Sequence, residues 1–186
     1  VSLTSWKSYC LCGGSVSDVA VRSATPDDAE SLLAIYRPFV LNTAISFELE
    51  PPSVAEFRGR VERWLAEWAW LVAERDRRPV GYAYATPHRS RGAYKWSVEP
   101  SVYVDEGSRR QGIGKTLYEA LLPLLAQKGY CNAYAGITLP NDASVALHRR
   151  LGFQPVGVFR SVGRKFGAWH DVSWWHLRLR PEPPHE

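Results

Sequence analysis

Val102-Tyr-Val-Asp-Glu-Gly-Ser-Arg-Arg-Gln-Gly-Ile-Gly-Lys-Thr-Leu117 (VYVDEGSRRQGIGKTL) is the stretch on which the fold turns. It reads as a short apolar strand, a polar turn, a loop carrying Gly112 and Gly114, and the opening of a helix. Glycines at a strand-to-helix turn leave successive main-chain N–H groups clear of side chains. The first helical turn adds a partial positive charge, so the loop is suited to an anion. Arg109, Arg110 and Lys115 bring formal charge for a polyphosphate, and Thr116 brings a hydroxyl.

Two familiar phosphate loops fit this stretch poorly. A nucleotide loop ending in Gly114-Lys115-Thr116 would need its first glycine where Arg109 stands. A dinucleotide fingerprint started at Gly112 would need its last glycine at Leu117. What remains is Arg-x-x-Gly-x-Gly directly after a strand and opening a helix.

The 186 residues are 45% hydrophobic and 12% aromatic, enough for one sizeable core and a single domain over 19–180. No run of about 18 apolar residues is present, which argues against a membrane helix. The formal charge of +4 is modest, and apart from the loop the basic residues are scattered, which favours a small anionic ligand over a nucleic-acid groove. Three cysteines make no disulfide framework, so free thiols in a reducing cytoplasm are expected, and no metal site is expected. Residues 1–18 read as an extension without an ordered fold, and 181–186 as a proline-rich tail.

Outward from the loop, strands and helices alternate after an early antiparallel portion, which predicts an α/β protein with a mixed sheet. Val19 to Arg22 is a first strand, and Thr25-Pro26-Asp27-Asp28 caps a helix carrying Leu32, Leu33, Tyr36 and Phe39. Thr43 to Glu48 is expected to be extended, and Ser53-Val-Ala-Glu56 caps a second helix to about Ala66. Trp68–Glu74 and Val80–Thr86 form a hairpin. In the next strand, Tyr94 to Val104, Glu99 and Pro100 predict a bulge or splay, because proline cannot donate to a ladder. A third helix follows the loop to Gly129, with Pro123 as a possible kink, and Cys131 to Ile137 is a strand. Asn141 to Leu151 is a fourth helix, and Phe153–Ser161 and His170–Leu179 are the closing strands.

These motifs, in this order, resemble the GNAT superfamily of acetyl-coenzyme A dependent N-acetyltransferases over about residues 19 to 180. The resemblance rests on the strand Val102-Tyr103-Val104, the loop Arg109 to Gly114, and Asn141-x-x-Ser144-x-x-x-His148-x-x-x-Gly152-Phe153. Ala93 to Val104, Leu139-Pro-Asn-Asp142 and Lys165-Phe-Gly-Ala-Trp-His170-Asp171 narrow it to the phosphinothricin N-acetyltransferase branch.

The resemblance implies a central sheet of six to seven strands with about four helices and a splayed strand pair that receives acetyl-CoA. In it the pantetheine arm bonds main-chain groups of Val102 and Val104, on either side of Tyr103. Backbone amides of Arg110, Gln111, Gly112, Ile113, Gly114 and Lys115, with Arg109 beside them, take the pyrophosphate, and Asn141 holds the other side. Glu99 stands at the general base and His148 at the general acid, and no acyl-enzyme forms. For the substrate, the resemblance and the need for cations point to Phe47, Tyr94 and Lys95, with Arg89, Arg91, Arg164 or Lys165 as further cations. It also implies a homodimer.

Each residue has a plainer reading beside it. Glu99 could cap a strand end or pair with Lys95 or Arg91, and His148 could be a hydrogen-bonded core histidine. His170 and Asp171, adjacent on a strand, face opposite sides and suit structural roles better than a dyad. A relative acting on protein N-termini or polyamines, or a non-catalytic acetyl-CoA sensor, also fits the motifs.

Overall fold

The computed structural model describes residues 19–184; the N-terminal extension with Cys10 and Cys12, and the last two residues of the tail, lie outside them. The elements are β1 (Ala20–Ser23), α1 (Ala29–Asn42), α2 (Val54–Glu67), β2 (Trp70–Arg75), β3 (Arg78–Pro87) and β4 (Ser97–Val104), then α3 (Ile113–Gln127), β5 (Asn132–Thr138), α4 (Asp142–Arg150), β6 (Gln154–Lys165) and β7 (Ala168–Arg178). All seven strands join one sheet in the order β1-β2-β3-β4-β5-β7-β6, antiparallel except for the pair β4–β5, whose crossover is α3. The mixed sheet and four helices expected from the sequence are present.

Strand β3 shows how the sequence sorts the two faces. Tyr82 and Tyr84 alternate with Gly81, Ala83 and Ala85. The tyrosines stack with Trp64 and Trp70 under α1 and α2, with Trp70 and Tyr84 centroids 4.4 Å apart. The small residues on the other face let α3 approach. A Cβ at Gly81 would stand 3.0 Å from the Tyr103 carbonyl oxygen and 3.2 Å from Ile113, so only glycine lets the first turn of α3 settle this low. Ile113, Leu117, Leu121 and Leu125 fill that second core. The helix N-terminus is thereby pinned beside the ends of β3 and β4.

One expectation is narrowed and one corrected. The β3–β4 ladder runs unbroken from Gly81–Val104 to Pro87–Val98, so no bulge sits at Glu99–Pro100 on that side. Pro100 is tolerated because its carbonyl points the other way, where it accepts a hydrogen bond from the Tyr118 hydroxyl at 3.3 Å, and its missing N–H lies on that same edge. The ladder shifts register elsewhere: between β2 and β3, where Ala73 pairs with Gly81 and Glu74 with Pro79 so that Val80 is the extra residue, and along β6. Thr43 to Glu48 is not a strand. Side chains hold it instead: Ser46 Oγ lies 2.6 Å from Tyr36 Oη, and Arg60 grips Glu48 through both nitrogens at 2.6 and 3.1 Å. Helix α3 runs through Pro123 to Gln127 and stops short of Gly129, as expected.

Candidate active site

Strands β4 and β5 pair only at Ser97–Asn132 and Val98–Ala133. From Glu99 onward they part, leaving a cleft of about 70 Å3 between Ser101, Val102 and Tyr103 on one strand and Gly136 and Thr138 on the other. Tyr118, Asn141, Ser144 and His148 also line it, together with Ile45 from the α1–α2 connection. The splay expected from the sequence therefore exists, on the β5 side of the strand.

At one end of β4 the loop turns into α3 through two left-handed residues, Arg110 at φ 62° and Gly112 at φ 80°, the second capping the helix. Alternation of this kind turns successive N–H groups inward to form an anion-binding concavity. The side chains contribute less than the sequence suggests. Ile113 is buried in the core, and Gln111 accepts from Arg75 at 2.7 Å and donates to Gly107 O at 3.2 Å. Arg109 stacks on Phe39 at 4.9 Å, and Lys115 pairs with Glu119 at 3.2 Å. The main chain is what the loop offers, with Arg110 as the nearby charge. Asn141 caps α4 by accepting from Ser144 N–H at 3.1 Å, and still lines the cleft.

Glu99 is the first residue of β4 past the paired segment and shares its face with Ser101. Its Oε1 lies 2.7 Å from Nδ1 of His88, just beyond the end of β3. Burial raises the Glu99 pKa above the usual carboxylate value; the hydrogen bond and charge of His88, and the charge of Arg89, oppose this. Sequence reading tested His88 only for metal-ligand spacing and missed the contact, since nothing local signals that a loop residue meets a strand residue eleven positions on.

His148 is buried on α4 with Nδ1 at 2.8 Å from the Ser144 carbonyl oxygen. That oxygen can only accept, so Nδ1 carries the proton and Nε2 is left with a lone pair and no hydrogen-bond partner among the described residues. Burial also lowers its pKa. The imidazole thus presents an acceptor, which does not suit the general-acid role expected of it. Tyr118, 5.4 Å away ring to ring, does hold a proton: burial pushes its hydroxyl above the usual phenol range. Nothing local in the sequence singles out Tyr118, which reads there as one more apolar position of a helix.

The substrate candidates separate. Tyr94 packs against His88 at 5.8 Å, on the Glu99 side. Phe47 lies over Gly163 of β6, where a Cβ would come within 2.3 Å of its ring, and faces His170 at 6.2 Å. Lys95 lines a different depression with Arg89, Arg91 and Tyr130, its ammonium 4.9 Å from the Trp96 ring, so it is not a wall of the β4–β5 cleft. Lys165 is buried, donating to the carbonyls of Val40 and Ser46 at 2.7 Å each, and is a structural cation. His170 contacts Lys165 O at 3.1 Å, whereas Asp171 accepts from Ser161 N–H at 2.7 Å; they brace the β6–β7 hairpin separately. Among the described residues no group of three or more His, Cys, Asp or Glu could hold a metal ion, and no helix is long and apolar enough to cross a membrane.

A family model described as an acetyltransferase (GNAT) domain matches residues 21–174. The phosphinothricin N-acetyltransferase of Streptomyces viridochromogenes is 39% identical over 167 residues, covering 89% of this chain and 91% of that one. The L-methionine sulfoximine/L-methionine sulfone acetyltransferase of Pseudomonas aeruginosa is 32% identical, covering 87% of this chain and 95% of that one. In three dimensions, a GNAT superfamily phosphinothricin acetyltransferase from Sinorhizobium meliloti, solved in complex with acetyl-CoA, superposes with a TM-score of 0.86 at 34% identity, covering 89% of this chain and 93% of that one. A strand pair opened beside a left-handed loop and a helix N-terminus, together with these likenesses along almost the whole described length, makes this chain a member of the GNAT family of acetyltransferases.

Proposed function

We propose that the chain transfers the acetyl group of acetyl-CoA directly to the amine of a small amino acid analogue such as phosphinothricin, methionine sulfoximine or methionine sulfone. One observation carries the reading: a half-buried carboxylate, Glu99, stands at the point where β4 and β5 part. The names of the relatives above supply the substrate class.

The residues fit the donor. The unpaired edge of β4 offers main-chain groups of Val102 and Val104 to an extended amide-bearing arm, as a further strand would be held, and the loop amides with Arg110 suit a pyrophosphate. When bound, acetyl-CoA supplies an activated thioester carbonyl to an amine.

The amine arrives largely as ammonium near neutral pH. Glu99 takes its proton, through a water where contact is not direct, and a carboxylate whose pKa burial has raised is a better base for this than an exposed one. Main-chain N–H groups near Val102 stabilise negative charge on the carbonyl oxygen. Tyr118 holds its proton at Oη at the lining of the cleft, resting on the Pro100 carbonyl oxygen at 3.3 Å, and by turning from that carbonyl offers it, as a hydrogen bond, to negative charge developing on the departing sulfur. His148 keeps that side of the cleft in place through its bond to Ser144 and its T-shaped contacts with Tyr118 and Phe153. On the substrate side, Tyr94 and the indole Nε1 of Trp174, a buried donor without a hydrogen-bond partner among the described residues, are available to an acceptor atom.

The test is coenzyme A release with acetyl-CoA and a panel of phosphinothricin, methionine sulfoximine, methionine sulfone, polyamines and N-terminal peptides. One of the three analogues is expected to give the highest kcat/KM. A peptide or polyamine at the top sinks the substrate assignment, and no release with any amine supports the sensor.

The same reading includes a homodimer and a cytoplasmic place. β6 is an edge strand whose Val156, Val158, Phe159 and Val162 are exposed, with Phe166 and Trp169 at the adjoining hairpin, an apolar surface that a second copy would cover. Sedimentation is expected to give twice the chain mass, and Val158→Asp to shift it toward the monomer. A free, buried Cys131 agrees with a reducing compartment.

A further inference from the structure

His88 lies outside every motif that identifies the family, yet its ring makes the closest side-chain contact to Glu99 among the described residues. It is held on several sides. Tyr134 of β5 stacks on it at 4.6 Å with an interplanar angle of 22°, Trp174 of β7 meets it edge-on at 6.0 Å, and Tyr94 does so at 5.8 Å. Its side chain is only 11% exposed. These contacts leave the ring few alternative rotamers and fix Nδ1 at 2.7 Å from Glu99 Oε1. A carboxylate only accepts, so with Glu99 ionised the proton of that bond resides on Nδ1.

We propose that His88 is a positioning residue for the base: it donates from Nδ1 to Oε1 of Glu99, holds the carboxyl in the orientation that leaves Oε2 for the incoming amine, and keeps it ionised. The proposal rests on the reading of Glu99 as the base. It assigns the chain a pair where the motifs show a single carboxylate. The physical need is plain, because Glu99 stands in a half-buried place where desolvation favours the protonated acid, and an acid cannot take a proton. His88 offsets that desolvation without replacing Glu99.

The groups facing this pair are few. Arg89 acts on Glu99 through its charge, Tyr94 and Tyr134 bring phenols, and His176 lies behind Tyr134. Trp174 is neutral at any working pH.

The experiment compares wild type, His88→Phe, His88→Asn and Glu99→Gln. Phe keeps the ring on Tyr134 and removes the donor. Asn returns an N–H close to the Nδ1 position. The readouts are kcat/KM for phosphinothricin across pH, KM for acetyl-CoA, and the titration of the Glu99 carboxyl carbon by NMR in protein without substrate.

In His88→Phe the Glu99 titration and the acid limb of kcat/KM are expected to move to higher pH. On the acid limb the loss should be about tenfold for a shift of about one pH unit, shrinking as pH rises above it, with KM for acetyl-CoA unchanged. His88→Asn should restore most of the limb. Should the phenylalanine not be accommodated, His88→Gln, whose amide lies nearer the Nε2 position, replaces it.

A limb and a Glu99 titration unmoved in His88→Phe overturn the proposal, as does a loss uniform across pH, which would mark His88 as structural only. The underlying reading fails separately: Glu99→Gln with wild-type turnover removes Glu99 as the base and His88 with it. Inactive Glu99→Gln beside an unmoved His88→Phe removes His88 alone. If no arm turns over, the Glu99 titration decides, and an unchanged value in His88→Phe overturns the proposal.

Discussion

Glu99→Gln is expected to lower kcat by two to four orders of magnitude near neutral pH, the usual range for losing a general base. The amide has the volume of the carboxyl and can still accept a hydrogen bond at its oxygen from His88, so the fold and the contact at 2.7 Å have no reason to collapse. What disappears is the capacity to take a proton. Two further signs separate this from a positional effect. KM for acetyl-CoA should hold, because the groups proposed to bind the donor, the β4 main chain and the loop, are left unaltered. The deficit should also narrow as pH rises toward the pKa of the substrate amine, since a growing share of substrate then arrives already deprotonated. In wild type, burial raises the Glu99 pKa, so the acid limb of kcat/KM should lie above that of an ordinary carboxylate, with activity lost as pH falls through it. Stopped release of coenzyme A across pH measures all three, and turnover unchanged in the variant would hand the role to another group.

Lys165→Met is the second large effect, this time on stability. Helix α1 ends at Asn42, so the Val40 carbonyl belongs to the last turn, where no intrahelical donor exists. Lys165 reaches it from β6, and the Ser46 carbonyl with it, bringing a positive charge to the negative end of the helix. Methionine keeps the apolar stem and leaves both acceptors without that donor. The expected cost is about 3 kcal/mol, from the loss of two charge-assisted bonds and the unpaired carbonyls. For a chain of this size that lowers Tm by about 6–12 °C. Calorimetry of the variant measures it. Activity should fall as well, because the same lysine fixes Ser46 beside Ile45 in the cleft lining. A variant as stable as wild type would show that the two carbonyls find other donors.

The contrast between these two residues shows what could be read before the structure. The loop and the splayed strand were legible because each is local, glycines at a helix start and a proline in a strand, whereas the role proposed for Glu99 came from the family resemblance. The mixed α/β character followed from the alternation of elements, but the strand order, with β7 between β5 and β6, did not. Lys165 and His88 were not legible. One was taken for a substrate cation and the other passed over as a histidine without metal-ligand partners. Lys165 acts on residues 119 and 125 positions away, and His88 meets Glu99 only through the register of β3 against β4. Pro100 marked the disruption, while the edge on which it falls came only from the structure, since sequence does not tell which side of a strand lacks a neighbour. Tyr118 and His148 follow the same lesson. Their helices were found, but which of the two holds a proton depends on the Ser144 carbonyl and on burial.

Among the described residues, two register positions, Ser97–Asn132 and Val98–Ala133, are all that the ladder provides between the β1–β4 half of the sheet and the β5–β7–β6 half. A molecule lying along the open edge supplies the rungs that the chain itself leaves out, so the donor becomes part of the architecture as well as a reactant. At a donor concentration a hundredfold above its Kd, that linkage adds about 2.7 kcal/mol to folding stability. The lifetime of the protein against unfolding and proteolysis then rises and falls with the acetyl-CoA pool, which makes the depth of the gap a setting for how much enzyme persists as well as for how fast it works.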